Sequence, residues 1–166
     1  RPQYLVLEHL DTAVYGFSYE TKEILEPRYD GLCAQKKAGI EILLAHGGDE
    51  KHIPINGNAL KRSGFDYVAL GHIHKPQIVV KAAYAGALEP TDKNDTGKHG
   101  FIRGELRGGE TRISFVPFAK REYLHLALNV DKMMTARSVM DWILEMIKER
   151  GAENLYKFTL KGFRDP

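Results

Sequence analysis

Length, composition and charge place this chain among ordinary globular proteins. It has 166 residues, 43% of them hydrophobic and 28% charged, with a formal net charge of +2; this size suits one domain, or one domain and a small piece. So small a net charge does not by itself indicate nucleic acid as a partner. Cys33 is the single cysteine, which excludes a disulfide framework and fits a reducing cytoplasm. No run approaches about 20 apolar residues, so no membrane span is predicted.

The first third of the chain predicts two strands and a short helix. Residues 4–7 and 12–19 have the pattern of strands, and a polar turn around His9 and Asp11 separates them. Residues 32–37 predict a short helix. His9 is interpreted as a surface residue of the turn and not as a ligand.

Two apolar runs in the middle of the chain each end in histidine. Residues 40–45 lead directly to His46, and residues 67–70 lead through a glycine to His72 and His74. Such runs predict buried strands, and a helix between them would make a β-α-β unit with parallel strands. The histidines can then converge at one edge of the sheet, where neutral imidazole suits Zn, Mn, Fe, Ni or Cu. For the His-x-His pair alone, two polar loop histidines bonded to the backbone are an equal alternative.

The rest of the sequence predicts many strands, and the amino-acid composition changes after Pro117. His99 is interpreted as a structural residue. The predicted elements are a helix over 56–63, short strands at 77–81 and 83–86, a loop at 89–97, a hairpin at 101–106 and 111–118, strands at 123–130 and 155–160, and a helix that Thr135 caps and Gly151 follows.

Three successive segments resemble one known family. They are Leu-Leu-Ala-His46-Gly, then Asp66-Tyr-Val-Ala-Leu-Gly-His72-Ile-His74-Lys75-Pro76, and then Tyr84-Ala-Gly-Ala-Leu-Glu-Pro90. Together they closely resemble the second half of the SbcD-type DNA repair exonuclease subunits, within the calcineurin-like metallophosphoesterase superfamily. The lone histidine after an apolar strand and the Gly-His-x-His resemble the last two of that superfamily's five metal motifs. The Tyr-x-Gly-x-Leu-Glu-Pro run points to the repair-nuclease branch.

The resemblance implies a fold of the α/β (α+β) class with two parts. Residues 1–121 would form the C-terminal part of a four-layer metallophosphoesterase β-sandwich flanked by helices. Residues 122–166 would form a partial β-α-β segment that begins a capping domain.

The resemblance also implies a set of ligands and substrate contacts. His46 and His72 would bind one of two divalent metal ions, Mn²⁺ in the intact protein, and His74 would bind the other. Lys75 and His52 are the candidate substrate contacts, although His52 in its polar loop also fits a solvated histidine. The candidates for contacts to DNA phosphates are the loop lysines Lys75, Lys81, Lys93 and Lys98, although each of them taken singly fits an ordinary solvated charge better.

The sequence departs from the family at its beginning. The first three metal motifs, Asp-x-His, Gly-Asp-x-x-Asp and Gly-Asn-His-Asp/Glu, do not occur, and the residues after Gly48-Asp49 do not continue the second of them. We therefore expect a fragment with no catalytic residue of its own, the general-acid histidine lying upstream, and no activity by itself.

The function implied for the full-length parent is a Mn-dependent exonuclease that hydrolyses phosphodiester bonds in DNA repair or recombination. It would act in the cytoplasm as a homodimer, with DNA and an SbcC-type ATPase subunit as partners. Two alternatives stay open: a metallophosphoesterase that acts on phosphoesters other than DNA, and a non-catalytic binding module whose histidines are structural.

Overall fold

The computed structural model describes residues 3–162, which form two compact units. The first contains the residues up to Leu88 together with Gly100–Pro117, and the second contains Glu89–His99 together with the residues from Phe118 onward. The α/β class expected from the sequence is confirmed. The strands are Gln3–Leu7 (β1), Thr12–Gly16 (β2), Ile40–His46 (β3), Tyr67–Gly71 (β4), Gln77–Val79 (β5), Ala82–Tyr84 (β6), Gly100–Arg107 (β7), Glu110–Pro117 (β8), Tyr123–Val130 (β9) and Leu155–Gly162 (β10), and the helices are Gly57–Arg62 (α1) and Ala136–Arg150 (α2).

A six-stranded mixed sheet organises the first unit. Its strand order is β1-β2-β3-β4-β6-β5. In this sheet β2 is parallel to β3, β3 to β4, and β4 to β6. The edge strand β1 is antiparallel to β2, and the edge strand β5 is antiparallel to β6. The register of β3 and β4 places His46 opposite Gly71. The two strands therefore end side by side, and His72 comes immediately after that end.

The helix α1 joins β3 to β4, as the sequence predicts. Asn56 caps it: its backbone is extended, and its side-chain oxygen accepts hydrogen bonds from the backbone N–H groups of Asn58 and Ala59 at 3.0 and 3.4 Å. Leu60 is the buried residue of this helix. Gly64 lies just beyond the end of the helix with φ +80°, a conformation that glycine adopts without strain.

The hydrophobic core lies on one face of the sheet, between the strands and the segments that connect them. The aromatic rings of Tyr15 and Phe65 meet edge to face with centroids 5.1 Å apart, and Tyr29 stacks on Phe17 at 4.7 Å. Burial of this apolar surface supplies the main stabilisation of the unit. The buried core cluster is Ala13, Tyr15, Ile24, Tyr29, Leu32, Leu43, Ala45, Ile53, Leu60, Phe65, Val68 and Leu70.

The helix predicted over residues 32–37 is wrong. That segment is a loop, and the carboxylate of Glu41 holds it. Glu41 is only 4% exposed, and it accepts hydrogen bonds from the backbone N–H of Lys36 at 2.9 Å, from that of Lys37, and from the Tyr15 hydroxyl at 3.0 Å. Because these backbone donors are taken by a side chain, and because Lys36 has φ +57°, the segment cannot continue as a helix.

The second unit contains the β-α-β segment expected from its sequence pattern. The strands β9 and β10 are parallel neighbours. The hydroxyl of Thr135 accepts a hydrogen bond from the Ser138 N–H at 3.1 Å and caps α2. Trp142 of this helix meets Phe158 of β10 with ring centroids 5.8 Å apart. Neither helix in the described part of the chain is long and apolar enough to cross a membrane.

We expect the Glu41 carboxylate to stabilise the first unit in a pH-dependent way. Burial raises its pKa, but the hydrogen bonds from Lys36, Lys37 and Tyr15 outweigh burial, so the pKa lies below its usual value. A lowered pKa in the folded state means that this stabilisation is present above the unfolded-state pKa of about 4.3 and is lost as the pH falls through the folded-state value. Glu41→Gln should reduce the free energy of unfolding at pH 7 by about 1–3 kcal/mol, and the difference from the wild type should shrink towards acidic pH.

Denaturant unfolding at a series of pH values measures this effect. The control is Glu26→Gln, which removes a carboxylate from an exposed position and should change stability by less than about 0.5 kcal/mol. Equal effects of the two substitutions would contradict the role assigned to Glu41.

We also expect the face of the sheet opposite the core to drive association. Leu5 pairs with Val14 and Val14 with Ile42, and Leu44 lies two residues after Ile42 in β3, so Leu5 and Leu44 share that face. Their side chains are 64% and 60% exposed. Exposed apolar patches of this kind favour contact with another protein surface. Sedimentation should show concentration-dependent association that Leu5→Lys with Leu44→Lys reduces.

The matched control for that experiment is Leu25→Lys. Leu25 is also 64% exposed but lies in a loop outside the sheet. A clean monomer at every concentration, or an equal effect of the control, would count against association through this face.

Candidate metal centre

The ends of β3 and β4 bring His46 and His72 together. Their ring centroids lie 5.2 Å apart, as the convergence of two parallel strands requires. Gly71 makes this approach possible: a Cβ atom at that position would lie 3.0 Å from Nδ1 of His46. A larger residue before His72 would therefore push the His46 ring away.

Two tyrosines fix the position of His46. The hydroxyl of Tyr29 accepts a hydrogen bond from the His46 N–H at 3.0 Å, and it lies 3.3 Å from the His46 carbonyl oxygen. The hydroxyl of Tyr19 donates to the same carbonyl oxygen at 2.9 Å, and its ring meets the imidazole edge to face. The strand end is thus held by buried and half-buried side chains, which limits the directions that the imidazole can take.

A tight loop after His46 adds further polar groups. The Gly48 N–H donates to the carbonyl oxygens of His52 and Ile53 at 2.9 and 3.1 Å, which folds the loop back on itself. Gly48 has φ +123°, and a Cβ atom there would clash with the Tyr84 hydroxyl. Ile53 is fully buried and anchors the loop at its far end.

Asp49 is the centre of this loop. One carboxylate oxygen accepts hydrogen bonds from the backbone N–H groups of Lys51 and His52 at 2.8 Å each and from Nδ1 of His52 at 2.9 Å. The other oxygen lies 2.6 Å from Nε2 of His72. The hydrogen bond from His72, with those from Lys51 and His52, holds the pKa of Asp49 far below its usual range, against the opposing effect of burial. Because an ionised carboxylate only accepts, Nδ1 of His52 and Nε2 of His72 carry the protons in these bonds.

Among residues 3–162, Asp49, His52 and His72 form a group whose potential ligand atoms all lie within 4.8 Å of one another. The ring of His46 lies against that of His72 on one side. His72 has φ +94°, a conformation that costs a residue other than glycine of order 1–3 kcal/mol and that is concentrated at functional sites. The geometry therefore places three imidazoles and one carboxylate at the end of the two histidine strands.

The residues proposed from the sequence are only partly gathered here. His46 and His72 are adjacent, whereas His74 and Lys75 are exposed and His74 is not part of the group of close ligand atoms. The metal-binding roles of His46, His72 and His74 stay predictions. His52 is neither a fully solvated loop residue nor a remote one, since its ring centroid lies 4.4 Å from that of His72.

Sequence reasoning missed Asp49. Its position three residues before His52, directly after two glycines, was a usable signal, because paired glycines allow a loop to fold back and bring i and i+3 side chains together. The other lysines proposed for DNA contact are exposed: Lys81 lies in the first unit, and Lys93 and Lys98 lie in the second.

The donor chemistry of the site fits a divalent transition-metal ion. Imidazole suits Zn, Fe, Ni and Cu, and one carboxylate supplies negative charge. Two divalent ions held close together call for more negative charge than this one carboxylate provides. The described residues thus satisfy one ion better than two.

The comparisons with known proteins agree with this chemistry. The chain is 28% identical over 163 residues to an uncharacterized metallophosphoesterase of Bacillus subtilis, YhaO, and the match covers 90% of this chain and 40% of YhaO. No protein-family model and no solved structure matches the chain. The chain spans 40% of the length of the curated relative that it matches.

In its sequence the chain is thus similar to a metallophosphoesterase, and its two adjacent histidine strands are in keeping with that likeness. The group of Asp49, His52 and His72 offers ligand atoms suited to a divalent metal ion.

The neighbours of His46 should determine its pKa. Partial burial lowers that pKa below the usual value, and the charges of His72 and His52 lower it further. A histidine with a lowered folded-state pKa destabilises the folded chain as the pH falls through about 6.5, because the unfolded chain takes up the proton first. In His72→Gln the pKa of His46 should rise part of the way to about 6.5, since burial and His52 remain.

An NMR titration of the histidine ring signals measures this change. His125→Gln, in the second unit, is the control and should leave the His46 titration unchanged. A His46 pKa that stays the same or falls in His72→Gln would contradict the coupling.

Proposed function

We propose that this chain is part of a metal-dependent phosphodiesterase that acts on DNA, of the SbcD type. The observation that carries the proposal is the pair of parallel strands β3 and β4, which ends in His46 and His72 with ring centroids 5.2 Å apart. In open α/β sheets, ligands bind beyond the carboxyl ends of the strands. The likeness to a metallophosphoesterase supports the general chemistry of this proposal.

In this proposal, His46 and His72 hold one divalent metal ion, and His74 holds a second. The two ions, Mn²⁺ in the intact protein, would polarise the phosphodiester and activate the attacking water. The chain's own contribution is to orient its imidazoles. Tyr29 fixes the strand end at His46, and Asp49 fixes the ring of His72.

The first residue of the run that resembles the repair-nuclease branch lies beside the loop after His46. The hydroxyl of Tyr84, the first residue of the Tyr-Ala-Gly-Ala-Leu-Glu-Pro run, donates a hydrogen bond to the Gly47 carbonyl oxygen at 3.1 Å. This bond supports the loop after His46. Lys75 and Lys81 are exposed in the same unit and are the proposed contacts to DNA phosphates.

The proposed setting comes from the family that the motifs resemble. DNA and an SbcC-type ATPase subunit are the proposed partners of the whole protein, as a homodimer in the cytoplasm. A repair or recombination role belongs to the same proposal.

Two other functions compete with DNA cleavage. The Bacillus relative is described only as a metallophosphoesterase, which equally fits hydrolysis of phosphoesters other than DNA. A non-catalytic binding module would use the same histidines for structure and would show no metal dependence. Substrate choice separates the first alternative from DNA cleavage, and metal dependence separates the second.

We expect this chain alone to show no Mn²⁺-dependent phosphodiesterase activity above background. The reason is electrostatic: the group of close ligand atoms has one carboxylate, too little negative charge for two close divalent ions. A hybrid in which the chain replaces the matching part of the Bacillus relative should cleave single- or double-stranded DNA with Mn²⁺. His72→Ala should reduce that activity by at least about 100-fold, the loss seen when one strongly stabilising group is removed from an active site.

The controls use chelator-treated protein, the Bacillus relative itself and His9→Ala in the hybrid, which alters an exposed histidine of the first unit. Hydrolysis of p-nitrophenyl phosphate without cleavage of DNA would favour the first alternative. A folded hybrid that neither binds metal nor hydrolyses any phosphoester would favour the binding module. Robust cleavage by the chain alone, abolished by His72→Ala, would show that the charge argument is wrong.

A further inference from the structure

We propose that Asp49 and His52 are metal ligands, and that with His72 they complete a site for one divalent transition-metal ion within this chain. The site shares His72 with the proposed phosphodiesterase centre, so it deepens and rests on that proposed function. It makes a separate claim, however, because it adds a carboxylate and an imidazole from the loop after β3.

The distances between the side chains suit one ion. The Oδ2 atom of Asp49 lies 2.6 Å from Nε2 of His72 and 3.0 Å from Nδ1 of His52, and all three ligand atoms lie within 4.8 Å of one another. Bonds of about 2.0–2.2 Å to a tetrahedral ion place ligand atoms about 3.3–3.6 Å apart. The observed range brackets that spacing, so side-chain adjustments on the order of 1 Å accommodate the ion.

Metal binding requires only a change of tautomer in His52 and His72, which moves each proton to the other ring nitrogen. In the hydrogen-bonded state, Nε2 of His72 and Nδ1 of His52 donate to Asp49. Each ring has a second nitrogen, and the other neutral tautomer presents the donor nitrogen as a lone pair while keeping one N–H proton. The metal ion therefore replaces two hydrogen-bond protons between the same three side chains.

The ligand types select a class of ion. Two imidazoles and one carboxylate suit Zn²⁺, Co²⁺, Ni²⁺ or Fe²⁺. Mg²⁺ and Ca²⁺ require sets of oxygen ligands, which one carboxylate does not provide. The site should therefore discriminate strongly against both of those ions.

The loop that carries Asp49 and His52 is fixed before metal arrives. The backbone N–H groups of Lys51 and His52 orient the Asp49 carboxylate. The segment 51–53 pairs with Ile24 through the bonds Ile24 N–H to Lys51 O at 2.9 Å and Ile53 N–H to Ile24 O at 2.8 Å. A ligand set held in this way loses little conformational entropy when it binds an ion.

Backbone strain marks both sides of the ligand set. Ile53 has φ +46° and His72 has φ +94°, and a left-handed conformation is particularly costly for a β-branched residue such as isoleucine. Burial of Ile53 keeps its left-handed conformation in place. The contact with Asp49 restrains the conformation of His72.

Titration with Co²⁺, monitored by its visible absorption, tests the proposal on the chelator-treated chain. The wild type should bind one Co²⁺ per chain. Asp49→Asn and His52→Ala should each weaken binding by about 100-fold or more, since loss of even an indirect contact to a metal ligand costs 10–100-fold. The matched control is Glu50→Gln, which removes the neighbouring exposed carboxylate and should leave the affinity within about threefold.

A second measurement does not depend on how well the variants fold. On saturation with Zn²⁺, the ring nitrogen signals of His52 and His72 in the wild-type chain should shift, and those of His9 and His125 should not. Unchanged His52 signals, or an equal loss of Co²⁺ affinity in Asp49→Asn and Glu50→Gln, would overturn the proposal. If the hybrid enzyme fails to hydrolyse phosphoesters while these metal results hold, the proposed function fails and the metal site stands. If the hybrid hydrolyses phosphoesters but the metal results fail, the metal site is wrong and the proposed function stands.

Discussion

The parallel pairing of β3 with β4 is the constraint on which the candidate site depends. Its register is fixed where the two strands begin: the Glu41 N–H donates to the Asp66 carboxylate, and the Asp66 N–H donates to the Glu41 carbonyl oxygen, both at 2.8 Å. A slip of one residue in β3 would turn every one of its side chains to the other face, which would carry Leu43 and the hydrogen-bonded carboxylate of Glu41 out of the core. The same register sets His46 beside Gly71 at the far end. The hydrogen bonds between Glu41 and Asp66 at one end of the strand pair thus fix which residues meet at the other end.

The loop after β3 shows how close packing and strain are combined at such a strand end. Gly48 is required because any side chain there would clash with the Tyr84 hydroxyl. Ile53 and His72, by contrast, hold left-handed conformations without being glycine, and burial or hydrogen bonding must offset that cost. The result is a rigid loop that presents Asp49 and His52 to His72, although much of the surrounding surface is open to water.

The contrast between Glu41 and Asp49 explains what the sequence reveals and what it does not. The strands ending in His46 and His72 could be predicted, because apolar runs and the residues that end them are neighbours in sequence. The helix capped at Thr135 could be predicted for the same reason. The helix expected just upstream of Glu41 fails because a carboxylate from the next strand captures backbone donors that the helix needs. The cluster around Asp49 was missed because it depends on how a glycine-containing loop folds back onto the sheet, which no local period encodes.

Charge limits what this cluster can hold. Two divalent ions about 4 Å apart repel each other by about 4 kcal/mol in bulk water, and by more in a less polar surrounding. The carboxylate of Asp49, which is hydrogen-bonded to His52 and His72, provides one negative charge. That charge lowers the free-energy cost of bringing one ion to the imidazoles. A second ion beside this cluster would meet His46, which is neutral as a ligand, and the positive charge of the first ion, which already engages His72. An anionic ligand such as a phosphoester would supply the negative charge that a second ion lacks, so a second metal ion and such a ligand should favour each other's binding.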